Sequence, residues 1–306
     1  MTLTPSTPTQ APRVTLLLTT YNHEPFVAEA VASCLAQDYP NMELFISDDG
    51  SEDDTWARVE AAVADYRGPH KITLNHNEHN LFLDHLPSVA GKLSGELIVM
   101  ACDDDVQYPH RVSRLVELWR ETDATVLASS ARRISALAEP MGYHRLYEKT
   151  PEITLEGFLK TGDNPTCFGA AIAWHRRLTD TFNHLPVGSR NIDFLYPLRG
   201  LMLTGAAFCK EPLLDWRRHG GNMSLGFQIE DAQTDTARIQ LQERHLLNLM
   251  ANWHGAIGDA QRFATVTGDQ ATANRVANAA VQHIINVMNQ WRPIRHRLAL
   301  AKIGIY

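Results

Sequence analysis

Three adjacent carboxylates, Asp103, Asp104 and Asp105, follow, after Cys102, on the largely apolar run Glu96-Leu97-Ile98-Val99-Met100-Ala101. Carboxylates this close repel one another and raise one another's pKa unless a cation or a set of hydrogen bonds intervenes. The run before them has the length and apolarity of a central strand, so the acids stand at its carboxyl end, where open α/β sheets bind their ligands. A solvated acidic turn is the competing reading, and it is disfavoured because this turn opens from a core strand. Oxygen ligands suit Mg²⁺ or Mn²⁺, which keep waters and take up substrate phosphates. A second acidic turn, Asp48-Asp49-Gly50-Ser51, closes the run Glu43-Leu44-Phe45-Ile46-Ser47. Alone it reads as a helix-entry turn favoured by the helix dipole. His76 and His79 have a metal-like spacing, but they sit among Asn75, Asn77, Glu78 and Asn80 and read as a solvated turn.

The elements that must position these residues alternate. Val14-Thr15-Leu16-Leu17-Leu18-Thr19 predicts a strand, followed by the polar turn Thr20-Tyr21-Asn22-His23 and a helix begun by Pro25, with Val27, Ala30, Val31, Cys34 and Leu35 at helical spacing. After the second acidic turn, Ser51 and Asp54 predict an N-cap and its partner for the next helix. A short strand at Ile72-Thr73-Leu74, a helical patch from Leu86 to Leu93, the strand before the triple acid, a helix marked by Val112, Leu115, Val116 and Trp119, and a strand at residues 125–129 continue the pattern. This alternation predicts an α/β fold: a doubly wound, Rossmann-like, mostly parallel sheet with helices on both faces. Further strands are expected at 166–173, 206–209 and 213–216. From about Gln228 the chain turns to Ala, Gln, Asn and Leu at helical period, which predicts a helical appendage to a sheet core complete without it. Its stripes are Ile239, Glu243, Leu246, Met250 and Trp253, then Ala277, Ala280, Val281, Ile284, Ile285 and Met288. The expected divisions are a disordered arm over 1–12, a catalytic domain over 13–227 and a helical region over 228–306.

The chain has 306 residues, 44% of them hydrophobic, and a net charge of −7, which gives no basic footprint for nucleic acid. Its four cysteines, Cys34, Cys102, Cys167 and Cys209, form no CxxC pair and read as small buried hydrophobes in a reducing compartment. No apolar run has the length of a membrane span, and the opening residues lack the regions of a signal peptide, so a cytoplasmic location is expected. The last stretch, from Trp291 to Ile303, mixes basic and apolar residues. It reads as a packed terminal helix or as a peripheral contact with the inner face of the membrane.

Taken in order, several stretches resemble the family 2 glycosyltransferases of the GT-A fold, over residues 13–224. Leu18-Thr19-Thr20-Tyr21-Asn22 is similar to the family's opening PTYN, with Thr19 in the proline's place. Residues 43–51 are similar to EIIVVDDGS, Gly95-Glu96-Leu97-Ile98 to GEYI, and Cys102-Asp103-Asp104-Asp105 to the metal-binding DXDD, with Cys102 replacing the first aspartate. Phe168-Gly169-Ala170-Ala171 resembles the acceptor-side GAA. Ile192-Asp193-Phe194-Leu195 resembles the ED..L of the catalytic base, with Ile192 replacing the glutamate, and residues 216–224 resemble YR.H..N.S.

The resemblance implies inverting transfer of a sugar from a nucleotide-diphosphate donor, with UDP the favoured nucleotide, to a hydroxyl of a saccharide or lipid-linked glycan, as in bacterial surface polysaccharide assembly. It implies that Thr19, Tyr21, Asn22 and Asp49 surround the nucleotide, Tyr21 by stacking and Asp49 by accepting a base N–H. Asp103 and Arg217 would serve the donor, Asp104, Asp105 and His219 would hold Mn²⁺ or Mg²⁺, and Asp193 would be the general base. A metal-dependent hydrolase of nucleotide-diphosphate sugars and a non-catalytic nucleotide-sugar-binding subunit are the alternatives. Oligomeric state is open, with a homo-oligomer among the expected states.

Overall fold

A computed structural model of the chain describes residues 11–144, 153–162, 169–182, 192–222, 228–229 and 232–302. Its strands are β1 (Val14–Thr20), β2 (Met42–Asp48), β3 (Lys71–His76), β4 (Leu97–Cys102), β5 (Val106–Gln107), β6 (Val126–Ser135), β7 (Pro140–Tyr143), β8 (Ile172–His175) and β9 (Ala206–Arg218). The helices are α1 (Val27–Leu35), α2 (Thr55–Ala64), α3 (His85–Ala90), α4 (Arg111–Thr122), α5 (Leu155–Thr161), α6 (Arg177–Phe182), α7 (Ile192–Met202), α8 (Asp235–Thr267) and α9 (Gln270–Lys302). Among the described residues the strands form one sheet in the order β3-β2-β1-β4-β8-β6-β9-β5, with β7 beside β6. The first four in that order run parallel, and β8 enters antiparallel to both β4 and β6.

Strands β1, β2 and β4 are near-continuous apolar runs because both faces are covered, whereas β3, at the sheet's edge, is half-exposed. Successive side chains serve opposite faces: Leu16, Leu18, Leu44, Ile46, Leu97 and Val99 join α1, α2 and α4 in one core, while Leu17, Phe45, Ile98 and Met100 join the other. That second core continues without a break through α7 into α8 and α9. Phe194 lies edge-to-face against Trp253 at 4.9 Å and Phe158 at 5.1 Å, and Trp253 stacks on His283 at 4.4 Å. The expectation that the sheet core is complete without the terminal helices is therefore corrected, since Trp253, Ala256, Ala260, Val276 and Ala280 are part of it.

Other expectations shift. Ser51 caps no helix: its Oγ donates to Asp48 Oδ1 at 2.6 Å, and α2 begins at Thr55 without a side-chain cap. Helix α1 begins at Val27, two residues after Pro25, and α3 ends at Ala90, before Leu93. The strand expected at 166–173 starts at Ile172 and runs to His175, after a 3-10 turn at Gly169–Ala171. Residues 163–168, with Cys167, lie outside the described residues. The two late strands are one, β9, whose pairing with β6 shifts register near Ser130. On α9 the buried positions are Ala273, Val276, Ala280, Val287 and Leu298, so three members of the expected stripe, Val281, Ile285 and Met288, face outward instead. The first ten residues of the arm are outside the described set, whereas the Ala11 and Pro12 carbonyls accept hydrogen bonds from Asn41 Nδ2 and the Tyr39 hydroxyl.

Candidate functional site

Because β1 and β4 pair in parallel with Thr19 opposite Cys102, the turns that follow them emerge side by side. The Tyr21 backbone N–H donates to Asp103 Oδ2 at 2.9 Å, and His23 Nδ1 lies 2.6 Å from Asp103 Oδ1. Asn22 adopts a left-handed φ of 51°. Its N–H donates to Ser51 Oγ at 3.0 Å and its Oδ1 accepts from the Glu52 N–H at 2.8 Å, which ties the β1 turn to the β2 turn. Thr19 and the Tyr21 side chain remain partly exposed at this edge.

The β2 turn is saturated internally. Asp48 accepts from Thr20 Oγ1, the Ser51 N–H and Ser51 Oγ, and its Oδ2 meets His76 Nδ1 at 2.9 Å. His76 ends β3 rather than standing in a turn and stacks on Trp56 at 4.7 Å, while its side chain stays 41% exposed, so it is solvated as expected. Asp49 Oδ1 accepts from Asn77 Nδ2 and the Leu81 N–H, and Oδ2 from the Phe82 N–H, each at 2.9 Å. Asp49 thus anchors the 77–82 loop; one lone pair is left on Oδ2, and buried His85 Nδ1 lies 3.8 Å from that oxygen. Gly50 makes the turn with a φ of +72°; a Cβ there would stand 2.7 Å from the His79 backbone.

The end of β9 closes over the triple acid from the other side. Arg217 is 2% exposed. Its N–H donates to Asp105 Oδ1 at 2.9 Å, Nε to the Asp104 carbonyl at 2.8 Å and Nη2 to Glu29 Oε2 at 2.6 Å, and its guanidinium lies 5.1 Å from the Phe26 ring. It is a brace between β9, α1 and the acidic turn rather than the free phosphate ligand expected. Beyond it, His219 Nε2 lies 3.0 Å from Asp104 Oδ2, which also accepts from Asn222 Nδ2 at 3.1 Å.

Burial pushes the Asp105 carboxyl well above the usual carboxylate range, and the neighbouring Asp104 charge adds to it. Burial likewise raises Asp103, although its bond and charge interaction with His23 oppose the shift. The Cys102 thiol is pushed far up, by burial first and then by the three carboxylates, and stays protonated. Burial works to lower His23, but Asp103, Asp104 and Asp53 together hold it above its ordinary value. Asp105 Oδ2 is buried with no hydrogen-bond partner. Ligand atoms of His23, Asp104 and His219 lie within 4.8 Å of one another, as do those of Cys102, Asp104 and Asp105. An orphaned oxygen of Asp105 beside two further carboxylates, with two imidazoles alongside, is a donor set that fits a divalent cation.

Asp193 is the second residue of α7 and takes a hydrogen bond from the Gly169 backbone. Burial raises its carboxyl to about 7. A Cβ on Gly169 would stand 3.0 Å from Asp193 Oδ1, so any larger residue would crowd this approach. The turn it opens is held by buried Arg111, whose Nη2 donates to the Ala170 carbonyl at 2.9 Å and whose Nη1 pairs with Gln107. Ala170 and Ala171 pack beside Cys102 and Trp216, which brings Asp193 to the same end of the sheet as the acidic turn. Three residues here were not singled out from sequence: His23, Glu29 and Asn222. Asn222 stands inside a recognisable motif stretch and His23 directly follows one, and that adjacency was the available signal. Glu29 has none, because its partner is 188 positions away.

The family model described as glycosyl transferase family 2 matches residues 15–182. EpsE from Bacillus subtilis (strain 168) is 33% identical over 107 residues, 34% of this chain and 37% of EpsE. An uncharacterized glycosyltransferase from Haemophilus influenzae is 27% identical over 113 residues, 37% of this chain and 34% of that protein. The chain thus spans about a third of the length of these curated relatives. Among solved structures, S. aureus TarS 1-349 in complex with UDP-GlcNAc aligns with a TM-score of 0.55 at 15% identity, covering 92% of each chain. The mannosyltransferase PcManGT from Pyrobaculum calidifontis, in complex with GDP-Man and Mn²⁺, aligns with a TM-score of 0.56 at 17% identity, covering 97% of this chain and 88% of that one. These likenesses show the GT-A fold, including the helical C-terminal region.

Proposed function

Since the chain belongs to glycosyl transferase family 2, we propose that it transfers a sugar from a nucleotide-diphosphate donor to an acceptor hydroxyl with inversion at the anomeric carbon. The observation that carries this reading is the convergence on Asp104 of His219 and Asn222, from more than a hundred residues later in the chain, at the carboxyl edge of β4. Tyr21 offers a ring face for the base. The single lone pair left on Asp49 Oδ2 suits one base N–H, as in uracil, better than the paired donors of guanine, which supports a UDP donor. Asp104 and His219 would hold a divalent ion, Mn²⁺ or Mg²⁺, with Asp105 beside them. Such an ion supplies Lewis-acid neutralisation of a leaving diphosphate. Asp193, raised to about 7, is matched to accepting the acceptor's proton near neutral pH. Asp103 serves the site by fixing Tyr21 and His23. Residues 13–227 would carry the chemistry and 228–306 would form a helical region whose α8 packs on the helix that bears Asp193. TarS with UDP-GlcNAc and PcManGT with GDP-Man and Mn²⁺ support the donor class.

Donor binding gives the test. A nucleotide sugar at about a hundred times its Kd should stabilise the native chain by about 2.7 kcal/mol. A thermal-shift screen of UDP- and GDP-sugars with Mn²⁺ should therefore give a clear rise, and Asp104→Asn should remove its metal dependence. Turnover that yields free sugar at a rate no acceptor changes would establish hydrolysis instead. Tight donor binding without turnover under any acceptor would mark a non-catalytic subunit.

No helix among the described residues is long and apolar enough to cross a membrane. Helix α9 nevertheless supports a peripheral contact and, with it, a lipid-linked glycan acceptor in surface polysaccharide assembly. Its sequence holds no acidic residue, and Val281, Ile285 and Met288 are 49%, 46% and 37% exposed at helical spacing, in line with exposed Arg292 one turn further on. An apolar stripe continuing into cations suits an anionic bilayer surface. The protein should float with anionic vesicles and not with neutral ones, and Ile285→Glu should abolish flotation. Failure of the wild-type chain to float removes the membrane contact.

A further inference from the structure

We propose that His23 is a protein ligand of the divalent cation through Nε2, with Asp103 as the carboxylate that orients it, and that this ligand tilts the site toward Mn²⁺ and Co²⁺ over Mg²⁺. The inference rests on the metal-binding reading of Asp104 given above. Four observations carry it. The His23 backbone is fixed on both sides: its N–H donates to Thr55 Oγ1 at 2.9 Å, and its carbonyl accepts from the Phe26 and Val27 N–H groups at the start of α1. Its Nδ1 is engaged by Asp103 Oδ1 at 2.6 Å, and the other Asp103 oxygen is held by the Tyr21 N–H. A carboxylate acceptor places the ring proton on Nδ1 in the neutral imidazole, which leaves the Nε2 lone pair as the free ligand position. Finally, ligand atoms of His23, Asp104 and His219 fall within 4.8 Å of one another, and the two imidazoles meet edge-to-face at 5.1 Å.

His219 is less well prepared than His23. Its Nδ1 accepts from the Gly221 N–H at 3.2 Å, so in the neutral ring the proton sits on Nε2, pointed at Asp104. Binding a cation through that nitrogen requires the other tautomer and loss of the Gly221 bond. His23 needs neither change. A carboxylate bonded to the far nitrogen of a ligating histidine also raises the basicity of the near one. Asp103, partly committed to Tyr21 and His23, thus acts on the cation through His23. The preference follows from ligand chemistry: Mg²⁺ favours oxygen and its own waters, whereas imidazole strengthens binding along the first-row series from Mn²⁺ to Co²⁺.

The experiment uses the full-length chain and the metals alone. Mn²⁺ binding is followed by loss of the free-ion EPR signal, Co²⁺ by its visible absorption, and Mg²⁺ by competition. His23→Ala should weaken Mn²⁺ and Co²⁺ binding by about 10–100-fold and leave Mg²⁺ within about twofold, with a change in the Co²⁺ spectrum. His23→Gln, which fills more of the space, guards against misfolding and should behave alike, with melting curves checking that both variants are folded. Wild-type Mn²⁺ affinity in both folded variants overturns the inference; if Asp104→Asn then loses the ion, the proposed function stands without His23. If Asp104→Asn also binds normally, the metal reading of the acidic turn falls with it. No Mn²⁺ bound by the wild-type chain up to millimolar concentration also overturns the inference, because these ligands should hold the ion without donor phosphates.

Discussion

Asp193→Asn should lower turnover by about 10²–10⁴-fold and, at pH 8, make the protein more stable rather than less. The two effects share one cause. Burial raises the Asp193 carboxyl from 3.8 to about 7, so its ionised form is disfavoured by the fold. A carboxyl whose folded pKa is raised contributes stability that is fully present below 3.8 and is lost as pH climbs through about 7. At pH 8 the native state carries that charge at a penalty of about 4 kcal/mol at most, and the neutral amide relieves it. The amide keeps an oxygen for the Gly169 N–H and remains tolerated in a first helical turn, where losing the negative charge costs about 0.3–1 kcal/mol. The net change at pH 8 is therefore a higher melting temperature, which shrinks as pH falls below about 7 and vanishes near 3.8, where the carboxyl is neutral in both states. Turnover moves the other way. An acceptor hydroxyl needs a base, and the wild-type rate should rise with pH through an apparent pKa near 7 that the variant lacks. Transfer to the true acceptor at the wild-type rate by Asp193→Asn would show that another carboxylate takes the proton.

The inner strands of the parallel half, β1, β2 and β4, were legible in the sequence because they are buried on both faces and read as apolar runs. The acidic turn after β4 was legible for a related reason: three carboxylates at the end of such a run have few stable settings. What could not be read was which polar group meets which. Arg217 looked like a phosphate ligand, yet its guanidinium is committed to Glu29, 188 positions away, and to carbonyls of the β4 and β6 turns. Asp49 looked free for a base, but its oxygens hold the loop after β3. Ser51 was taken for a cap because local pattern ignores Asp48, which competes for its hydroxyl. His23 gains meaning only from Asp103, 80 positions on. On α9 the helical period was right and the face was wrong. Apolar residues occupy more than one side of that helix, so periodicity alone could not separate the buried line through Val276, Ala280 and Val287 from the exposed one through Val281, Ile285 and Met288.

Asp259→Ala should cost about 3–5 kcal/mol of folding stability, far more than a change in a loosely attached terminal segment would. Asp259 on α8 takes two bonds from Arg199 on α7, Nε at 2.7 Å and Nη2 at 2.9 Å, and the side chains are 4% and 0% exposed. The guanidinium also lies 5.0 Å from the Phe182 ring and 5.9 Å from that of Tyr196, so it is enclosed by aromatic surface. Removing the carboxylate takes the bidentate partner from a guanidinium that is fully buried. The cost should be visible as a lower denaturant midpoint, and the double replacement Arg199→Met with Asp259→Leu should recover most of it, because the pair's desolvation disappears along with its attraction. The same contact links the terminal helices to chemistry, since Arg199 and Asp193 lie on one helix. Asp259→Asn, which keeps one acceptor oxygen, should lose less stability than the alanine variant while still lowering turnover, with donor affinity measured by thermal shift close to wild type. A stability loss within about 0.5 kcal/mol for Asp259→Ala would mean that α8 and α9 are attached to the catalytic fold without supporting it.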